Sequence, residues 1–497
     1  MKEIRTRTLI LGGGPAGLGA AYELTRNGVE DLALIDRNKN LGGLSRTEEF
    51  EGNLFDIGPH RFFTPNEEIN RLWHSILGSD FLPIKRQTRI YHNKKYFLYP
   101  LEVSNALINL GLRKAVRTLL SFLSSCLKSR GTARTFEEWV IDKFGIRLYE
   151  TFFKTYTEKV WGIPCNRIGA EWAAQRIKDL DLKALLKSTI WGNQKTPKTL
   201  VDEFDYPLRG AGSMYEAMWN KIAGDTSARN ATIPGQRSDA ASPNNAIHLY
   251  RQTKVTGIIR DEFNIVTVEA ETEFGEKLRF IANHVFSSIP LTDCLDMLSP
   301  LAPQSVRAAT EKLFFRDHIT VNILIDGDRL FPDQWIYVHS PELKLARVAN
   351  YSNFSPSMAA RRQTTVLSAE YFVFMNDEIW NLTDSELETL ASDELLHMGL
   401  IPKGRIIKSW VIKETESYPT YYLGFEEPYQ TVKDFAVKFE NLSFIGRGGM
   451  YKYNNMDHSL MTGILSARNY LGLPGAPFDV WAVNIDAQYQ ESAPRKA

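Results

Sequence analysis

The chain has little cysteine, no excess of charge of either sign and no long uninterrupted apolar run, and each scarcity closes off a class of function. Its three cysteines, Cys126, Cys165 and Cys294, are odd in number, far apart and without metal-ligand spacing. Neither a disulfide framework nor a metal site is expected, and a reducing, cytoplasmic setting fits best. Lys plus Arg and Asp plus Glu both number 59, so nothing in the overall charge attracts the chain to nucleic acid. The most suspicious apolar stretch, 106–127, is interrupted by Arg113, Lys114 and Arg117 and never reaches the ~20 apolar residues of a spanning helix. It reads as an amphipathic helix, either packed on its own domain or, as the open alternative, a basic surface for peripheral membrane contact. Met1-Lys2-Glu3 leads directly into a strand, so no export signal is expected. What is present is size: 497 residues, 43% of them hydrophobic, can bury a large core in about two or three domains.

The most informative stretch is Leu11-Gly12-Gly13-Gly14-Pro15-Ala16-Gly17, between the strand Arg7-Thr8-Leu9-Ile10 and a helical pattern, with Asp36 closing a second strand, Leu32-Ala33-Leu34-Ile35. Gly12 permits the tight turn, Gly14 lets the backbone approach a pyrophosphate, and Gly17 lets helix and strand pack closely. The helix N-terminus supplies N–H donors, and Asp36 is placed to accept from a ribose. Gly42-Gly43-Leu44-Ser45-Arg46-Thr47 follows, a second close backbone approach with a cation beside it.

The order of patterns predicts an α/β chain in which a Rossmann-like nucleotide domain is discontinuous, formed by 1–65, 205–300 and 436–475. A mainly helical insertion, 66–204, contains a hairpin turning at Asn93-Lys94. A second, antiparallel sheet is expected in 301–435, with 476–497 as a tail. Residues 224–245, rich in Asp, Ser, Asn, Gly and Pro, read as a polar surface loop. Phe444-Ile445-Gly446-Arg447 and Asp457 to Ile464 read as a strand, a glycine crossing and a helix opened by a capping acid, whose N-terminus is placed to stabilise an anionic group.

The double-glycine continuation resembles the FAD-binding signature of the flavoproteins that include amine oxidases and protoporphyrinogen oxidases. Gly58-Pro59-His60-Arg61-Phe62-Phe63-Thr64, Tyr156-Thr157-Glu158-Lys159-Val160-Trp161-Gly162 and Tyr451-Lys452-Tyr453-Asn454-Asn455-Met456-Asp457 narrow the resemblance to UDP-galactopyranose mutases. The resemblance implies FAD held by Gly12, Gly14, Gly17, Asp36, Gly42, Gly43, Leu44, Arg46, Val255, Gly446, Arg447 and Met456. It implies a nucleotide-diphosphate sugar met by Tyr156, Trp161, Arg176, Arg316, Arg347, Tyr418, Tyr453 and Asn455, with His60 as the flavin's neighbour. Arginine forks match diphosphate oxygens, and aromatic faces suit a base or a sugar. The implied reaction is a pyranose–furanose interconversion in glycan or sugar-metabolite biosynthesis, with N5 of reduced FAD as nucleophile and NADPH or NADH as candidate reductant. Leu44 stands where the family commonly has Arg, and Asn455 where it has an acid. Two other functions remain open on this fold. One is an FAD-dependent dehydrogenase of the amine-oxidase or protoporphyrinogen-oxidase kind. The other is a non-enzymatic binding protein like the GDP-dissociation inhibitors. Sugar, base and oligomeric state are not legible.

Overall fold

The computed structural model describes residues 1–99, 105, 109–127, 133–170, 203–225, 247–328 and 330–484. Four-residue Leu32–Ile35 is apolar throughout and wholly buried, as a strand covered on both faces must be. It pairs in parallel with Lys2–Leu11 on one side and Ile247–Tyr250 on the other. Lys2–Leu11 pairs in parallel with Lys277–Ser287, and Leu442–Phe444 completes the parallel set. The nucleotide sheet therefore draws its strands from segments hundreds of residues apart.

Lys277–Ser287 is long enough to serve two partners along its second edge. Its first half pairs antiparallel with Asn264–Thr272, and its last three residues pair parallel with Leu442–Phe444. Thr253–Asp261 extends the antiparallel arm, and Leu298–Ser299 pairs parallel at its outer edge. The helix Pro15–Arg26 covers this sheet beside Met456–Leu471. They approach so closely that a Cβ on Gly463 would lie 2.0 Å from the Ala16 carbonyl oxygen.

The second sheet has seven strands in the order Ile406–Pro419, Phe315–Asp326, Thr364–Val373, Arg347–Asn350, Trp335–Val338, Thr88–His92, Lys95–Leu98. All its pairings are antiparallel except Trp335–Val338 with Thr88–His92. The hairpin lying in the stretch expected to be mainly helical is thus stitched into the second sheet. Its turn residues Asn93 and Lys94 have φ of 49° and 59°, the paired left-handed geometry of a two-residue turn. Asp384–His397, opened by a Thr383–Glu386 capping box, covers one face of the sheet through Leu387, Ala391 and Leu395.

Leu112–Leu127, Phe136–Phe144 and Thr155–Trp161 form the helical region, with a π-helical turn at Tyr149–Lys154. The start of the expected amphipathic helix, 106–108, and most of the expected polar loop, 226–245, lie outside the described residues. No helix among the described residues is long and apolar enough to cross a membrane.

Candidate cofactor and substrate site

A cavity of about 640 Å³ begins at the glycine turn after the first strand and runs between the two sheets to the helix Thr155–Trp161. Gly12 makes the turn with φ of +101°, and a Cβ there would lie 2.3 Å from the Ser288 hydroxyl. Gly17 is needed for packing, since its Cβ would fall 1.9 Å from the Gly12 carbonyl oxygen. Gly14 differs: its Cβ would meet nothing nearer than the Gly43 Cα, at 3.7 Å. Gly14 is also the N-cap of Pro15–Arg26, and no side chain caps that helix. An uncapped helix N-terminus facing a glycine-lined hollow is a site for a phosphate group.

Asp36 knits the cradle together by accepting from the Gly13 N–H at 2.6 Å and the Asn38 N–H at 2.7 Å. Burial pushes its carboxyl above the usual carboxylate range, against those hydrogen bonds. Its oxygens keep further lone pairs for a ribose hydroxyl. Gly43, Leu44, Arg46, Val255, Gly446, Arg447 and Met456 also line the cavity, whereas Gly17 and Gly42 shape the backbone behind it. Arg46 is buried and its donors are engaged: Nε on Glu48 at 2.5 Å, Nη1 on the Gly43 carbonyl at 3.1 Å and Nη2 on Glu414. The acid expected to cap the last helix, Asp457, sits in its first turn. Asn455 takes the N-cap, its N–H donating to His458 Nδ1.

At the far pole the cavity is lined by His60, Tyr156, Trp161, Arg347, Tyr418, Tyr453 and Asn455. His60 Nδ1 is buried without a hydrogen-bond partner. Burial, with Arg447 and Arg347 nearby, drives the imidazole down to about 3, so it is neutral at ordinary pH. The Arg447 guanidinium carbon lies 5.1 Å from the Tyr418 ring and 4.8 Å from the Tyr453 ring. Its Nε donates to the Asn454 carbonyl at 2.8 Å. Tyr156 stacks on His339 at 4.8 Å and meets Tyr337 edge-on at 5.2 Å.

Arg347 reaches the same pole but forms a bidentate pair with Glu370, at 2.8 and 2.6 Å, and His318 shares that carboxylate at 3.0 Å. Burial opposes the Glu370 charge, yet Arg347 and His318 overcome it and hold the carboxyl at about 2. Sequence reasoning passed over Glu370 and His318. The signal was there, because a lone Glu in the apolar run Thr365–Tyr371 can persist in a wholly buried strand only with a charged partner.

Arg316 is not brought to the cavity wall. Its Nη1 pairs with Asp377 at 3.2 Å, Nη2 donates to the Phe372 carbonyl at 2.7 Å, and Nε and Nη2 reach the Val160 and Lys159 carbonyls at 3.3 Å each. These contacts make Arg316 a clasp on the C-terminus of Thr155–Trp161, where a cation complements the helix dipole. Arg176 lies outside the described residues. Lys159, also passed over, donates to the carbonyls of Val338, Ser340 and Leu345 at 2.8 to 3.0 Å and ties the same helix to the second sheet.

Residues 10–76 match the model of an NAD(P)-binding Rossmann-like domain. The chain is 31% identical over 173 residues to a dTDP-fucopyranose mutase of Escherichia coli, 33% of this chain and 44% of that protein. It is 29% identical over 171 residues to a probable UDP-galactopyranose mutase of Klebsiella pneumoniae, 33% of this chain and 42% of that protein. These matches span less than half the length of either relative. Among solved structures, a reduced UDP-galactopyranose mutase superposes with a TM-score of 0.78 at 21% identity, covering 95% of this chain and 96% of that one. A putative protoporphyrinogen oxidase from Exiguobacterium sp. 255-15 superposes at 0.66 with 17% identity, covering 93% and 98%. The chain thus shares the fold of a UDP-galactopyranose mutase, and its residues 10–76 match a Rossmann-like domain model.

Proposed function

We propose that the protein is a flavin-dependent mutase that interconverts pyranose and furanose forms of a nucleotide-diphosphate sugar. The observation that carries this reading is the continuity of one cavity from the cradle at Gly12, Gly14 and Asp36 to the pole at His60, Tyr156 and Tyr453. The mutases matched in sequence support the substrate class. The open Gly14 hollow, the uncapped helix above it and the orphaned His60 Nδ1 fit a bound FAD. When bound and reduced, with NADPH or NADH as electron source, the flavin supplies the nucleophile for the anomeric carbon.

The chain's own residues do the rest. Gly12, Gly14 and Gly43 admit the cofactor diphosphate, and the N-terminus of Pro15–Arg26 offsets its charge. Neutral His60 offers one donor or one acceptor to a group beside it and carries no charge at neutral pH. Tyr418 and Tyr453 form the wall that meets the substrate diphosphate and base, with Arg447 beside both rings on the cofactor side, while Tyr156 and Trp161 bound the sugar and exclude water. In this reading 1–65, 205–300 and 436–475 hold the cofactor, and 66–204 and 301–435 shape the substrate end.

The test is to reduce the purified protein and offer it a panel including UDP-galactopyranose and dTDP-fucopyranose. An isomer of equal mass, formed without net consumption of reductant, is the expected result. A second reading, an FAD-dependent dehydrogenase, is favoured by the internal neutralisation of Arg347 by Glu370, which leaves less free positive charge for a diphosphate. Hydrogen peroxide or a reduced acceptor appearing in proportion to product would decide for it.

A further inference from the structure

The helix Leu112–Leu127 turns an apolar strip away from the body of the protein. Val116, Leu119, Leu120 and Leu123 are 48%, 42%, 60% and 48% exposed. Their spacing of three and four residues places them on one face, while Ala115, Phe122 and Ser125 are buried on another, towards Phe136–Phe144. A strip of large aliphatic side chains held in water is costly, because each forgoes the transfer free energy that burial would return. Arg113, Lys114 and Arg117 are exposed on the same helix, which contains no Asp or Glu. Among the described residues none of these three cations has an ion-pair partner. Arg113 and Arg117 fall along one margin of the apolar strip when the helix is viewed down its axis.

We infer that this helix docks the protein on an anionic lipid surface, the four aliphatic side chains entering the acyl boundary and the cations meeting the headgroups. Charge decides between lipid and a second copy of the chain. A two-fold contact would set the strip against itself and bring both sets of cations together with no acid on the helix to offset them. An anionic bilayer supplies both an apolar interior and the opposite charge. Because the helix packs on Phe136–Phe144 and Ile146–Leu148, docking would place the membrane against the region that continues into Thr155–Trp161 and carries Tyr156 and Trp161.

The experiment is co-sedimentation of the full-length protein with vesicles of phosphatidylcholine alone or mixed with phosphatidylglycerol. Binding to the phosphatidylglycerol vesicles should be at least about tenfold tighter and should weaken as salt is raised. L120E/L123E should lower it by about tenfold or more while leaving the circular dichroism spectrum and melting temperature unchanged. R113E/R117E should remove the preference for anionic lipid. Absence of binding to either vesicle, or binding untouched by L120E/L123E, would overturn the inference. So would a concentration-dependent dimer that L120E/L123E abolishes in a protein indifferent to vesicles, which would give the strip to a second copy.

Discussion

Arg347 and Glu370 face each other across neighbouring strands, Cα partners in the ladder between Arg347–Asn350 and Thr364–Val373, and join through two parallel hydrogen bonds directly behind Gly58. The pair puts a guanidinium at the cavity wall and its counter-charge one layer deeper, where His318 also reaches it.

Removing the deeper charge is the more damaging change. Glu370→Ala would leave Arg347 and His318 buried without their acceptor, and a broken buried ion pair costs about 3 to 5 kcal/mol. Urea denaturation at neutral pH should show a midpoint lowered accordingly, and a midpoint within experimental scatter of the wild type would refute the network.

Gly14→Val should separate folding from cofactor binding. The hollow around Gly14 accepts a Cβ at ordinary contact distance, so the apoprotein should fold with a near-native melting temperature. The branched side chain then occupies the hollow, and flavin absorbance should vanish from the purified protein. Full flavin content in this variant would remove the cradle from the cofactor assignment.

Arg316→Ala should destabilise the fold without weakening nucleotide binding. It strips two carbonyls at the end of Thr155–Trp161 of a charge-assisted donor, each such bond contributing roughly 1.5 to 3 kcal/mol before allowance for the partly exposed Asp377. Calorimetric titration with UDP should be unchanged at temperatures where the variant is folded. A large loss of UDP affinity there would return Arg316 to the substrate site.

His60 gives stability a pH dependence of known sign. The folded imidazole titrates at about 3, below its unfolded value near 6.5, so between these limits the unfolded chain binds the extra proton. Its share of stability is complete above pH 6.5 and falls by about 1.4 kcal/mol per pH unit as the medium is acidified towards pH 3. Asp56, raised to about 6 by burial, acts in the opposite sense between pH 6 and 4 and masks part of the slope. The difference between wild type and His60→Asn isolates the effect: the variant should lose less stability between pH 6.5 and 5. Equal losses would show that His60 is not held neutral.

The glycine cradle is legible in the sequence because its geometry is local. Gly12, Gly14, Gly17 and Asp36 sit in one strand, turn, helix and strand, and their spacing carries the geometry. The far pole is only half legible, since Arg316 and Arg347 look alike in a sequence, each a cation on a β-strand. What separates them is the arrival of Asp377 and the carbonyls of Lys159 and Val160 at one, and of Glu370 at the other. The hairpin Thr88–His92 and Lys95–Leu98 was recognised from its turn, but its parallel partner Trp335–Val338 lies far along the chain and leaves no trace in local pattern.

Phe81–Lys85 and Glu203–Pro207 pair antiparallel, with Lys85 opposite Glu203. The chain between them leaves and returns at one point, so the whole excursion is a loop fastened at its base. Its described part is also held to the second sheet, by the pairing of Thr88–His92 with Trp335–Val338 and by Lys159 on the carbonyls of Val338, Ser340 and Leu345. Tyr156 and Trp161 belong to that loop, while Gly12, Asp36 and Gly446 do not. One wall of the cavity is thereby carried by a segment anchored to the second sheet and the cradle by the first sheet, so a substitution that loosens one anchor leaves the opposite wall its own support.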